Sequence, residues 1–305
     1  MKNPLLEQFN TPFESIPFSK IKSEDYKPAF EEAVKMARKE IQDIIENKEK
    51  PSFENTIEAM ELSGEILNQT SHAFFNLLHA ETNEILQETA QYISPILSEF
   101  SNDISLNPLL FDKIKKVFEE RKDIDLTTEQ NRLLEKTYLS FARNGANLPD
   151  DKKEKLRSID MKLSKLSLDF GNNVLAETND YVLHLTDEND LKGLPDYAIE
   201  QAKKEAESRN KDGWIITLQA PSYVPFMTYA DNRELRKELS IAYGKRSFQD
   251  NEFNNEEIVK EIVKLRLERA NLLGYKTHAD FVLEESMAKS PEIVNEFLAD
   301  LLKKS

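Results

Sequence analysis

Cysteine is absent from the 305-residue sequence. Disulfide staples, thiolate metal sites and cysteine nucleophiles are therefore excluded. Turn-formers are scarce, with 7 Gly and 12 Pro. A β-barrel or sandwich needs many tight turns, so the shortage argues for helices. The glycines also occur singly, which leaves no phosphate-cradling loop, no G-x-G-x-x-G and no G-x-S-x-G elbow. No apolar run approaches the ~18 residues of a membrane span, and Met1–Pro4 opens no apolar signal segment. Basic excess is missing as well: 41 Lys and Arg face 56 Asp and Glu, for a net charge of −15. A nucleic-acid binder needs a basic patch to displace counterions. Lys113–Lys116 and Lys152–Lys155 are interleaved with acids or lie on amphipathic helices. Neither nucleic acid nor membrane is an expected partner, and a cytoplasmic protein is the expectation.

What is present is amphipathic. With 39% apolar and 32% charged residues, most of the chain must form helices with one solvated face. Phe30, Ala33, Val34, Ala37, Ile41 and Ile44 recur at helical spacing, predicting a helix over 25–46. After Pro51, Ser52 or Asn55 caps a predicted long helix carrying Ile57, Met60, Leu67, Phe74, Phe75 and Leu78. Gly64 falls inside it, where glycine costs about 1 kcal/mol against alanine, so a close helix crossing is expected there. A third helix starts near Thr82 and is kinked or ended at Pro95. Asn107–Pro108 and the Thr127–Gln130 capping box open two more, the second ending near Asn144–Gly145. Leu148–Pro149–Asp150 begins a long helix with the stripe Leu156, Ile159, Leu163, Leu166, Phe170 and Val174.

Tyr181–Thr186 and Trp214–Gln219 are short and rich in β-branched or aromatic residues, and read as strands. A helix over 196–208 separates them, an order that permits a parallel pair. Helices resume at Asn232, at Asn254 with Glu257 as its capping partner, at Thr277 with Asp280, and at Ser290–Pro291. The last carries Val294, Phe297, Leu298 and Leu301 and has no stop signal. The expected fold is mainly α, a multi-helix body with a minor two-strand element. Its expected organisation is an N-terminal helical region (1–180), a small β-α-β insertion (181–219) and a helical region (220–305) cut at its C-terminal end.

Chemistry is hard to find in this pattern. A zinc hydrolase of the H-E-x-x-H type needs two histidines at i and i+4. No pair among His72, His79, His184 and His278 has that spacing. His72 and His79 lie roughly 10 Å apart along a helix, too far to share one metal. Asp250, Glu252, Asn254 and Glu261 echo a calcium loop, but Asn255 stands where the obligatory glycine should be. Carboxylate pairs are the solvated faces that so acidic a chain must have.

Several strings nevertheless form a recognisable ordered set. These are Pro51–Gly64 (PSFENTIEAMELSG), Phe74–Leu77 (FFNL), Phe141–Leu148 (FARNGANL), Leu163–Asn179 with its LSKLS, FGNNVL and ETN segments, and Leu265–Ser290 (LRLERANLLGYKTHADFVLE, then SMAKS). Together they resemble the N-terminal half of the thimet oligopeptidase family of zinc metallopeptidases, the bacterial peptidyl-dipeptidase branch most. The resemblance implies a mainly helical body split by a deep channel for short peptides, with this chain supplying much of one wall. It also implies zinc in the intact enzyme, held by an H-E-x-x-H helix that lies well past His278 and is not in this sequence. No catalytic or metal-binding residue is therefore carried over, no metal is expected on this chain, and the chain alone is expected to be inactive. Its implied partners are short peptide substrates and the missing C-terminal catalytic region. Tyr223, just after the second strand, is the one candidate for lining the channel. The rival reading is a free-standing helical binding module without catalysis.

Overall fold

The structure is a computed structural model that describes residues 3–304. Short 3-10 turns lead into α1 (Tyr26–Glu46), whose buried Phe30, Ala33, Val34, Ala37, Ile41 and Ile44 fall on one stripe. A π-helical turn (Phe53–Glu58) runs into α2 (Ala59–Glu61), followed by α3 (Glu65–Ala80), α4 (Glu84–Ser105), α5 (Pro108–Glu120), α6 (Thr128–Arg143) and α7 (Asp150–Asp180). Then come β1 (Leu183–Leu185), α8 (Asp196–Ser208), β2 (Trp214–Ile216), α9 (Ala220–Tyr229), α10 (Arg233–Gly244), α11 (Glu256–Leu272), α12 (His278–Leu283) and α13 (Pro291–Lys304). The mainly α reading with a minor β element holds. Among the described residues no helix is long and apolar enough to cross a membrane.

The chain forms two compact units. The first comprises residues up to 165 together with those from 265 onward, and the second comprises 166–264. The strand segment 181–219 lies wholly within the second.

In the first unit, Phe74 of α3 packs edge-on against Tyr26 and Phe30 of α1, with ring centroids 5.2 and 5.4 Å apart. Fully burying such a side chain contributes about 1.5–3 kcal/mol. A second cluster joins Ile41, Phe53, Leu110, Ile114, Leu134 and Phe141. Lysines finish two helices: Lys113 donates to the Asn47 carbonyl at 2.6 Å after α1, and the buried Lys153 to the Leu106 carbonyl at 3.1 Å after α4. Both satisfy carbonyls that a helix end leaves open.

One helix expectation needs correction here. The long helix after Pro51 is broken at Gly64, which takes φ +74 and starts α3 afresh. A Cβ there would sit 3.8 Å from that of Ala37, an ordinary contact. The left-handed backbone, not a close crossing, is what calls for glycine. Its N–H donates to Glu40 Oε2 at 2.7 Å. Of the two alternatives at Pro95, a kink or an end, the end is excluded, since α4 continues to Ser105. The expected caps Ser52, Asn107, Thr127 and Thr277 all accept from their helices.

In the second unit the strands pair antiparallel, Leu183 with Ile216 and Leu185 with Trp214, not parallel. The end of β1 thus faces the start of β2, because α8 packs on β2 and returns the chain beside β1. Gly213 makes the approach feasible: at φ +81, any Cβ would lie 2.2 Å from the Leu185 carbonyl oxygen. The strands are shorter than expected. Thr217 N–H donates to Ser222 Oγ instead of extending the ladder, and α9 begins at Ala220. Leu183, Leu185, Ile216, Leu218, Phe226 and Leu239 form the unit's core.

The start of α11 also departs from expectation. The helix opens at Glu256, and Asn254 Oδ1 accepts from the Glu256 N–H at 2.9 Å, so no Asn254–Glu257 box forms. At the other end of the chain, α13 buries none of its side chains; Phe297 is 62% and Leu302 78% exposed.

Candidate functional site

Two of the sequence strings meet in the first unit. Arg143, ending α6, donates through Nε to Tyr275 Oη at 3.1 Å and to Glu284 Oε2 at 2.5 Å, and through Nη2 to the Phe281 carbonyl. Tyr275 in turn donates to Glu284 at 2.7 Å. Arg269 pairs with Asp160 at 2.7 Å and lies over the Phe281 ring. The FARNGANL and RANLLGYKTHADF strings are thus a joint that ties α6, α7, α11 and α12 together. Gly145 has the same role, since at φ +97 a Cβ would come 2.8 Å from Leu156 Cδ2. These contacts give the strings a structural role.

His278 opens α12 as the sequence suggested. Burial, with Arg266 and Arg269 adding to it, pushes its imidazole pKa down, so the neutral ring is favoured. Burial likewise raises the Tyr275 phenol, with the hydrogen bond to Glu284 adding to it.

Tyr223 does not stand at a strand end opening into a loop. It lies in the first turn of α9, half-buried, and stacks on Tyr243 of α10 with centroids 4.2 Å apart. Its ring also packs against the core of the second unit.

Sequence reasoning missed the region around Glu177. This carboxylate, on α7 and only 5% exposed, accepts from the Ser247 N–H, from Gln249 Nε2 at 2.6 Å and from Asn251 Nδ2 at 2.8 Å. Three neutral donors hold a buried charge and fix the segment that enters α11. Asn255 completes the anchorage, donating to the Phe170 carbonyl at 3.0 Å and accepting from Asn173 at 2.9 Å. Its side chain is used there and not as a helix cap. No spacing rule could reveal this, because Glu177 is 70 residues from Ser247.

The donor set does not fit a zinc ion. His72 and His79 are exposed on α3, and His184 is engaged with the Asp212 carbonyl at 2.6 Å. Among the described residues no three His, Asp or Glu side chains gather into a possible metal site. No step of chemistry is therefore assigned to a metal on this chain.

Comparison with known proteins accounts for the ordered strings. Residues 226–305 match the model of peptidase family M3. Oligopeptidase A of Escherichia coli is 32% identical over 313 residues, covering all of this chain and 45% of that protein. Dipeptidyl carboxypeptidase of Escherichia coli is 32% identical over 301 residues, covering 98% of this chain and 44% of its own length. A thimet-like oligopeptidase of Dictyostelium discoideum is 32% identical over 280 residues, 90% of this chain and 40% of that protein. The chain spans less than half the length of these relatives. From first to last, the matched strings and the matched family model make this chain a member of peptidase family M3, corresponding to the N-terminal part of its oligopeptidases.

Proposed function

We propose that this chain is the N-terminal, substrate-channel part of a zinc-dependent oligopeptidase or peptidyl-dipeptidase that hydrolyses short peptides in the cytoplasm. One observation carries the reading: the whole chain aligns, at about a third identity, with proteins named oligopeptidase A and dipeptidyl carboxypeptidase. In such an enzyme zinc polarises the scissile carbonyl and lowers the pKa of a bound water. The ligands for it would come from a segment outside this sequence. This chain's contribution is shape: rigid helices, joined at corners such as Arg143–Glu284, that admit an extended peptide and exclude a folded protein. Tyr223 stays the candidate channel residue. Its hydroxyl is the group that would meet a peptide while the ring is held by Tyr243.

The test is reconstitution. The chain alone should hydrolyse no short fluorogenic peptide. Joined to the C-terminal remainder of Escherichia coli oligopeptidase A, which supplies H-E-x-x-H, it should restore hydrolysis that a chelator abolishes. A folded hybrid that binds zinc and remains inactive on a panel of peptides would sink the reading. Chelator-sensitive cleavage by the chain alone, surviving several purification steps, would overturn the expectation of inactivity.

A further inference from the structure

The second unit contains a cavity of about 320 Å³, lined by Phe170, Arg246, Ser247, Phe248, Val259 and the first turn of α11. Three observations make it more than a surface dent. The first is rigidity. The wall segment is anchored from beneath by Glu177, and the Asn255 N–H donates to the Ser247 carbonyl at 2.8 Å. Ser247 itself is held at φ +55, a backbone conformation that serine rarely adopts. Such strain persists only where the surroundings over-determine it.

The second is an unanswered polar group. Ser247 is 3% exposed, and its hydroxyl has no hydrogen-bond partner. Buried hydroxyls are normally satisfied.

The third is a positioned cation. Arg246 donates through Nε to the Tyr243 carbonyl and through Nη1 to Thr178 Oγ1, each at 3.0 Å, and its guanidinium lies 3.7 Å over the Tyr243 ring. Among the described residues it has no carboxylate partner. The N-terminus of α11 adds partial positive charge to the same wall. The one acid of the wall, Glu256, is engaged by Lys260 at 2.8 Å. Phe170, Phe248 and Val259 supply apolar surface that is largely exposed; Phe248 is 63% so.

We propose that this cavity binds a small carboxylate with an apolar body. Its head would pair with Arg246 beside the first turn of α11, and its aliphatic or aromatic group would cover Phe170, Phe248 and Val259. A free hydrophobic amino acid and the C-terminal residue of a peptide share this chemistry. The size suits one such residue, as small-ligand pockets of several hundred cubic ångströms bury most of their ligand. The guanidinium is the appropriate cation, since its planar fork matches a carboxylate at two points. The inference concerns this chain by itself and does not depend on its assembling into a peptidase.

The experiment is an amide-resolved NMR titration of the ¹⁵N-labelled chain. Four probes are used: N-acetyl-phenylalanine, its amide, and Ala-Ala-Phe with a free or an amidated C-terminus. The carboxylates should shift the signals of 246–248 and 256–259 and bind at least about tenfold more tightly than the amides. Arg246→Gln should bring the carboxylates down to the amide level and leave amide binding unchanged. Phe248→Ala, at an exposed position where folding is not at risk, should weaken acids and amides alike. Binding of both acids identifies a free residue as sufficient; binding of the tripeptide acid alone identifies a peptide C-terminus. Equal binding of acid and amide, indifference to Arg246→Gln in a folded variant, or no shift at ~10 mM probe overturns the proposal.

Discussion

Arg143 and Glu177 both fasten distant parts of the sequence, yet they do it with opposite electrostatics. At Arg143 a nearly buried guanidinium meets a half-exposed carboxylate, Glu284, and shares it with Tyr275. At Glu177 a buried carboxylate has no cation partner among the described residues and relies on a backbone N–H and two side-chain amides. Water screens the first arrangement and reaches the second only from its exposed Gln249 and Asn251 side. The first joint should therefore lose little when charge alone is altered, whereas the second should weaken most when the buried Ser247 N–H is orphaned.

The largest expected effect is at Glu177. Glu177→Ala leaves the buried Ser247 N–H without an acceptor, while Gln249 and Asn251 sit at exposed positions where water can take over, and it should cost about 3 kcal/mol, read as a lowered urea midpoint. Glu177→Gln keeps one oxygen but turns an NH₂ group toward a donor, and should recover only part of this. If the alanine variant loses less than about 1 kcal/mol, the anchor is not structural. Arg143→Met comes next. It removes hydrogen bonds to Tyr275, Glu284 and the Phe281 carbonyl, at about 2–3 kcal/mol after discounting the exposed carboxylate. Arg143→Lys should rescue less than half, because an ammonium cannot reproduce the fork. Full rescue would mean that charge, not geometry, holds the joint.

Tyr223 lies outside both joints and tests a smaller contact. Tyr223→Ala should cost about 1–2 kcal/mol through the lost stack on Tyr243. Tyr223→Phe should leave the urea midpoint in place while raising the KM of a reconstituted peptidase. An unchanged KM would remove Tyr223 from the channel.

The pH response should be smallest. The folded-state pKa of His278 is depressed, so its contribution is complete above the unfolded value near 6.5 and is lost as pH falls through the lower folded value. The folded-state pKa of Tyr275 is raised, so its contribution is complete below about pH 10 and declines above it. Proton uptake on unfolding at pH 6 should therefore fall in His278→Gln. Unchanged uptake in a folded His278→Gln variant would contradict the assignment.

How far the chain could be read in advance differed by element. Thr127 and Gln130 are three residues apart and complete each other's hydrogen bonds, so their box needs no distant partner. The same is true of Asn107 before Pro108, and of the stripe from Phe30 to Ile44. Gly64 was visible as an oddity but misread, because one glycine answers equally to a crossing and to a left-handed turn. Tyr223 reads as the residue after a strand, but α9 begins at Ala220 with Pro221 in its first turn, where proline is well tolerated. Asn255 stands out in the sequence only as the residue where a calcium loop would need glycine, and its partners are Asn173 and the Phe170 carbonyl.

Helical class, the positions of most helix starts and the absence of a metal-ligating histidine motif were settled by local rules. Periodicity, caps and spacing act over one or two turns, a range within which sequence neighbours are also spatial neighbours. Strand direction, the break at Gly64, the wiring of Glu177 and the cavity beside Arg246 were decided only by the tertiary structure. Each depends on groups tens of residues apart, where burial and the need to satisfy every buried donor choose the partner, and the intervening sequence does not encode that choice.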